Sequence, residues 1–369
     1  MKKLHYILFG LLFLAFMFPA LQQFLGIFKE VPLEGAFKEP AYKRLTAKNW
    51  FGANFQKAAE KKSNYVIGFR TDFVRTRNQV DFSLFDIAHS VSVVKGKNGH
   101  LFRYEDYYVK GATNKPENFM VEQVKRLKAV QDSLKAKGKF MLYVIAPDKL
   151  YYWKEFLPQR DVLNKKSMYT YTYYKRLLKK YGCDFIDMNQ WFLQLKSKTA
   201  HTLYSKGGFH WTQYGASIAY DSMVNYIRTK TSFTIPKINV TGLKKEKNPW
   251  GPDVDIFKAC NLFIKPKEDL FTYPTIVTDT TQCVTTAIVC ADSYFHAIAW
   301  PGFYAKTFSP QSTFWYYNRE VSDPRNKNVQ AIKDVKTNEL IEKSNVYIIL
   351  FSTMNMDKFD YGFLEHFGR

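Results

Sequence analysis

The chain has 369 residues, 46% hydrophobic and 17% aromatic, with 25 Tyr, 32 Phe and a formal net charge of +21. That is apolar material for one large domain or two modest ones, and it excludes bulk disorder. The basic surplus is spread along the chain, as in "RLLKK" at 176–180 and "KKEK" at 244–247. It favours polyanions (nucleic acid, anionic headgroups or acidic polysaccharide) without choosing among them.

Lys2 and Lys3 precede an apolar run from Tyr6 to Leu21, which resumes after Gln22 and Gln23 and reaches Phe28. At about 1.5 Å per helical residue the 6–28 stretch is long enough to span a bilayer. Phe18 occupies the third position before the best candidate cut, after Ala20, and no cysteine follows that could be lipidated. The expectation is an uncleaved signal anchor over residues 1–28, with a cleaved signal peptide as the alternative. The flanking lysines keep the N-terminus cytoplasmic and send the chain beyond about residue 29 outside, as a single-pass inner or cell membrane protein whose bulk is periplasmic. That argues against nucleic acid as a partner.

Residues 29–90 are polar-aromatic with Pro32 and Pro40 and show no strong periodicity, so a spacer and peripheral layer is expected. From Val94, "VVKGKNGHLFRYEDYY" predicts a hairpin turning at Asn98-Gly99. Met120–Lys137 places Val124, Leu127, Val130 and Leu134 on one face of a helix stopped by Gly138. "KFMLYVIAPDK" reads as a strand ended by Pro147, and a helix over 171–180 leads into the short strand "CDFIDM". Another helix starts after Thr212, with Ala216, Ala219, Met223 and Ile227 on one face. "TTAIVCADS", "FYAKTFS" and "VYIILFS" read as β-rich runs. Strand alternating with helix predicts an α/β fold over 91–369: a parallel sheet with helices on both faces.

The four cysteines are Cys183, Cys260, Cys283 and Cys290. If "CVTTAIVC" is one strand, Cys283 and Cys290 lie roughly 23 Å apart and cannot bridge each other. No C-x-x-C pair suggests a metal.

In open parallel sheets, reactive groups collect at the carboxyl ends of strands. "AIVCADSYFHAI" puts Ser293 at such an end, where a hydroxyl is presented at a turn, or simply caps a helix. "GGFHW" puts His210 at a helix start, where it is either packed or aimed. Together they are the two groups that serine acyl transfer requires.

Four blocks then resemble, in order, the SGNH-hydrolase-like domain of the alginate O-acetyltransferase family. They are "VVKGKNGHLFRYEDYY", "YVIAPDKLYYWKEFLP", "LYSKGGFHWTQYGASIAYDSM" and "IVCADSYFHAI", covering roughly residues 91–355. The last two are similar to the family's Asp-x-His-Trp-Thr-x-x-Gly-Ala and Gly-Asp-Ser motifs, with the serine block after the histidine block as in the family. The resemblance implies Ser293 as nucleophile and His210 as base; Asp292 is a candidate support or a hydrogen-bond acceptor within its turn, and Trp211 a candidate support or packing under the histidine loop. Two positions depart from the pattern. Gly208 stands where the family has the Asp that orients the imidazole, and Ala291 stands for the Gly of Gly-Asp-Ser. Three readings follow: a Ser293–His210 dyad, a carboxylate supplied from elsewhere with Asp187 or Asp292 as candidates, or an inactive relative.

Arg319 in "FWYYNREV" is a candidate substrate-facing cation or a surface ion-pair partner. The pairs Tyr107–Tyr108, Tyr151–Tyr152 and Tyr316–Tyr317 are candidate sugar platforms or packing, and His296, one turn after Ser293, is a backup base in principle. The expected function is transfer of an acyl group, acetyl by resemblance, to hydroxyls of an extracytoplasmic polysaccharide. The family implies a membrane-bound O-acyltransferase partner and no cofactor, metal or nucleotide. The rivals are a carbohydrate esterase, an inactive glycan-binding or scaffold component of an envelope complex, and a tethered polyanion binder.

Overall fold

The structure is a computed structural model that describes residues 2–35, 39–103, 115–158, 165–264, 270–323, 325 and 328–368. Two compact units emerge: Met1–Val91 with Phe257–Pro266, and Ser92–Ile256 with Lys267–Arg369.

The first unit begins with α1 (Lys2–Leu25). Its Lys3–Leu25 stretch has a mean hydropathy of 2.1 and is largely exposed up to Phe18, with Gln22 buried near its end, so by length and composition it is able to cross a membrane. The stretch expected as a spacer is largely helical: α2 (Ala47–Phe51), α3 (Asn54–Val66) and α4 (Arg70–Leu84). Its periodicity is faint because α3 buries nothing and α4 buries only Arg75, Asn78 and Phe82, so no apolar stripe marks either helix. The C-terminal end of α1 is tied to the α3–α4 connection. Phe69 stacks on Phe18 at 5.0 Å and lies 5.7 Å from Phe28, and its N–H donates to Glu30 at 2.7 Å. Arg75 donates to the carbonyls of Val31 and Pro32.

In the second unit, β1 (Val93–Lys95) and β2 (Leu101–Arg103) form the expected hairpin. Asn98 and Gly99 both take positive φ (54° and 77°), a conformation that asparagine tolerates and that glycine, without a β-carbon, adopts freely. Tyr107 and Tyr108 lie outside the described residues. After α5 (Glu117–Ala136) come β3 (Phe140–Ala146), α6 (Lys149–Tyr152), α7 (Lys165–Lys180), β4 (Phe185–Asp187), α8 (Met188–Leu195) and α9 (Gln213–Lys230). A two-stranded antiparallel sheet follows, β5 (Asn239–Glu246) with β6 (Phe271–Val277); between these strands in sequence comes α10 (Asp255–Ala259), of which Asp255 and Ile256 belong to this unit. The chain ends with β7 (Ala287–Ala291), α11 (His296–Ala299), β8 (Thr313–Tyr316), β9 (Glu320–Ser322), β10 (Val329–Ala331), α12 (Thr337–Lys343) and β11 (Val346–Ser352).

The main sheet has the order β10-β9-β8-β7-β11-β3-β4. β8, β7, β11, β3 and β4 are parallel, whereas near one edge β9 pairs antiparallel with both β8 and β10, so the sheet is mostly rather than wholly parallel. β3, β7 and β11 are buried at every position, as strands covered on both faces must be. Met141, Tyr143, Ile145, Tyr347 and Ile349 meet α5 and α7 in one apolar cluster.

Two of the expected β-runs fall short. In "CVTTAIVC" only the last part is strand, because Thr280–Gln282 makes a helical turn that Cys283 closes. "FYAKTFS" is a series of turns that still buries Phe303, Tyr304 and Phe308. All four cysteines are free.

Candidate active site

β7 lies in the middle of the sheet, between β11 and β8, so the turn after Ala291 opens at the carboxyl end of the sheet. Asp292 is fully buried there and accepts four hydrogen bonds. They come from the N–H groups of Tyr294 (3.1 Å) and Ser352 (2.8 Å), the Ser352 hydroxyl (2.8 Å) and the Asn355 amide (2.7 Å). Burial raises its pKa, with those donors opposing. Asp292 therefore ties the serine turn to the end of β11.

The histidine loop is held from three sides. Thr212 caps α9 by accepting from the Gly215 N–H, and Trp211 is fully buried, donating its indole N–H to the Tyr294 carbonyl at 3.0 Å. Lys149 is 2% exposed and donates to the carbonyls of Lys206 at 2.6 Å and Gly208 at 2.7 Å. A buried ammonium is tolerated only where such acceptors surround it. The Ser205 hydroxyl donates to the Asp253 carbonyl at 2.5 Å and accepts from the Gly208 N–H at 2.6 Å.

This scaffold places Nε2 of His210 2.8 Å from Oγ of Ser293. On the other side of the ring, Nδ1 lies 2.8 Å from Oδ2 of Asp255. The second oxygen of Asp255 accepts from the N–H groups of Phe209 (2.7 Å) and Ile256 (2.8 Å), which fixes the carboxylate's rotation. Read with Nδ1 protonated, the ring donates to Asp255 and accepts the serine proton, the arrangement of a Ser–His–Asp acyl-transfer site.

Asp255 was not among the acids expected from sequence. Asp187 is used elsewhere: it caps α8 and binds the Tyr171 hydroxyl and Lys175. Asp292 makes the turn contacts above. Nothing local marks Asp255, which opens a five-residue helix 45 positions after the histidine.

Of the remaining candidates, Tyr317 approaches closest. Its backbone is left-handed (φ 50°) and its N–H donates to the Ala291 carbonyl at 2.9 Å, which holds it against the serine turn. Burial pushes the pKa of its hydroxyl up. Tyr316 is half-buried against His296, and Tyr152 is buried beside Tyr204. His296 stacks on Trp300 at 4.5 Å, and burial, then the nearby His210, lowers its pKa to about 4. It is neutral at physiological pH. Arg319 is exposed on the β8–β9 turn, outside the hydrogen-bonded set around Ser293 among the described residues.

Residues 93–255 match a family model described as the SGNH hydrolase-like domain of the acetyltransferase AlgX. This stretch is SGNH hydrolase-like. The resemblance read from the sequence stands, and with it the mixed α/β fold with a mostly parallel central sheet. No curated protein matches the sequence. Among solved structures the chain is similar to the O-acetyltransferase domain of Pseudomonas putida AlgJ, at 15% identity and a TM-score of 0.46, over 75% of this chain and 98% of that one. Pseudomonas aeruginosa AlgX is similar at 14% identity and a TM-score of 0.43, over 74% and 67%. Bacillus cereus PatB1, solved with a sulfonyl adduct, is similar at 13% identity and a TM-score of 0.45, over 73% and 96%.

Proposed function

We propose that the protein is an extracytoplasmic O-acyltransferase that moves an acetyl group onto hydroxyls of a polysaccharide through an acyl-Ser293 intermediate. The observation that carries the reading is the run Ser293–His210–Asp255, with two 2.8 Å separations in series. Ser293 Oγ attacks the acetyl carbonyl while its proton passes to Nε2 of His210, and Asp255 stabilises the imidazolium. The backbone N–H of Ser293 and the Tyr317 hydroxyl are the candidate donors to the oxyanion. Collapse of the tetrahedral intermediate expels the donor's oxygen, which takes the proton from His210. A sugar hydroxyl then repeats the cycle on the acetyl-serine: His210 removes its proton and returns it to Oγ.

Gly208 was the feature that supported an inactive scaffold, and Asp255 supplies the carboxylate missing at that position. Domain limits of 1–28, 29–90 and 91–369, retention of α1 as a membrane anchor, a periplasmic location and an acyl-delivering membrane partner belong to the same reading.

The test is intact-mass analysis of the purified chain after exposure to p-nitrophenyl acetate. One acetyl group should appear on Ser293 and be absent from Ser293→Ala. If Ser293 of the wild type never carries acetyl, the acyl-enzyme mechanism fails.

A further inference from the structure

Three of the seven tryptophans project rings into solvent; Trp50 belongs to the first unit, whereas Trp250 and Trp300 sit on the segments that bear the candidate catalytic groups. Trp300, seven positions after Ser293, is 55% exposed; Trp250, five positions before Asp255, is 40% exposed. By contrast Trp211 and Trp315 are fully buried. Leaving an indole in water forgoes one of the larger burial gains a side chain offers, so exposed aromatic surface of this kind marks a binding face.

Neither ring is loose. Trp300 closes α11, its N–H donating to the His296 carbonyl at 2.9 Å, and its ring lies on the His296 imidazole at 4.5 Å and 18°. The Trp250 N–H donates to the Tyr273 hydroxyl at 2.6 Å, which donates to Asp253 at 2.8 Å, while the Asp253 N–H donates back to the Trp250 carbonyl at 2.9 Å. Asp253 also accepts from the Gln213 N–H and the Ser205 hydroxyl, so the Trp250 loop is anchored to the histidine loop. The two indoles meet edge to face, 6.2 Å apart at 89°. Two exposed, uncharged indoles, held edge to face on the segments that carry Ser293 and Asp255, suit a ligand with an apolar face and polar rim. A pyranose is such a ligand, with C–H groups on its face and hydroxyls around its edge.

We propose that Trp300, backed by His296 and flanked by Trp250, is the platform on which a pyranose ring of the acceptor glycan lies while its hydroxyl is presented to Ser293. This rests on the acyl-transfer reading above. The platform fixes the acceptor by stacking, which tolerates different sugar substituents, and leaves the choice of hydroxyl to the polar groups at the site.

The experiment is a fluorescence titration of the full chain in detergent, on a Ser293→Ala background to prevent turnover. Cellohexaose, chitohexaose and a mannuronate hexamer are used as separate probes. At least one should change the tryptophan emission, and Trp300→Ala should weaken its binding by about tenfold or more, the equivalent of about 1.4 kcal/mol. Trp300→Phe should hold affinity to within about threefold of the parent. Should Trp300→Ala fold poorly, protection of Trp300 from N-bromosuccinimide oxidation by the hexasaccharide, read by mass spectrometry in the parent chain, gives the same answer. Equal affinity in parent and Trp300→Ala, absence of protection, or a parent that binds none of the probes overturns the platform. Acetylation of Ser293 by p-nitrophenyl acetate in the wild type involves no glycan. If it occurs while the tryptophan variants bind normally, the platform alone fails; if it never occurs, the acyl-transfer reading fails.

Discussion

Gly208 lies so close to Asp253 that a β-carbon on the glycine would sit 2.6 Å from the Asp253 carbonyl oxygen and 2.5 Å from the Ser205 hydroxyl. The constraint is space, because Gly208 is not among the positive-φ glycines. An aspartate at 208, as the family pattern has it, would force apart the Ser205–Asp253 bond that also positions Trp250. Gly208→Asp should therefore destabilise the loop by about 1–3 kcal/mol, the usual cost of overpacking, and lower acetylation of Ser293. Thermal unfolding and the intact-mass assay measure both. A gain in activity would mean that Asp255 is not the group orienting His210.

Asp255→Asn keeps the size of the side chain but removes the charge facing Nδ1. In the Ser–His–Asp template that exchange costs about 10⁴ in rate. Here we expect a fall of at least about 10² in the rate of Ser293 acetylation. Asp255→Asn combined with His210→Ala should be no slower than His210→Ala alone, since the groups act as one unit. Additive losses would show that Asp255 acts on something other than the histidine.

What could be read from the chain was what local chemistry encodes. Asn98 and Gly99 mark their turn by needing positive φ, Thr212 marks α9 by capping it, and Met120, Val124, Leu127, Val130 and Leu134 mark α5 by their spacing. Ser293 and His210 could be picked out because motifs surround them. Asp255 could not: its partner is 45 residues away, and an aspartate opening a short helix is ordinary capping. Lys149 lies within the motif "YVIAPDKLYYWKEFLP", but its bonds to the 206 and 208 carbonyls exist only once β3 and the histidine loop come together. α3 and α4 escaped notice because a helix that buries little carries little pattern.

Stability should fall in mild acid. Burial, then Lys149, Lys206 and Lys196, lowers the pKa of His100 from 6.5 to about 3, and burial, then His210, lowers that of His296 to about 4. The unfolded chain takes up both protons near pH 6.5, whereas the folded chain waits until about pH 4 and about pH 3. The stabilisation is full above pH 6.5 and is lost as pH falls toward those values, at about 1.4 kcal/mol per pH unit for each group. Nδ1 of His100 is buried without a hydrogen-bond partner among the described residues, and its ring lies parallel to Phe156 at 4.1 Å, so phenylalanine fits the same slot. His100→Phe should leave stability at pH 7 unchanged or higher and roughly halve the loss between pH 6.5 and 4.5 that these two groups cause. Urea midpoints at three pH values decide it; an unchanged slope would show that His100 titrates normally.

Gly68 offers a test of the fate of α1. A β-carbon there would run into the Pro19 carbonyl and lie 2.8 Å from Gln22 Cβ and 2.8 Å from the Gln23 nitrogen. Gln22 itself is buried, accepting from the Phe28 N–H and donating to its carbonyl. These contacts supply a reason for glycine at 68 only if residues 19–23 remain part of the mature protein. Cleavage after Ala20 would remove Pro19, free Gln22 of the helix that holds it, and leave Gly68 unconstrained. In the full-length chain in detergent, Gly68→Ala should loosen the first unit, seen as faster limited proteolysis within residues 29–90. In a chain lacking residues 1–28 the same substitution should have no effect or slow proteolysis, since alanine restricts the unfolded state more than glycine does. The membrane fraction of the native host should also yield an intact mass that includes residues 1–28. A Gly68→Ala effect that is the same with and without α1, together with a mature mass beginning near residue 21, would show that α1 is a cleaved leader.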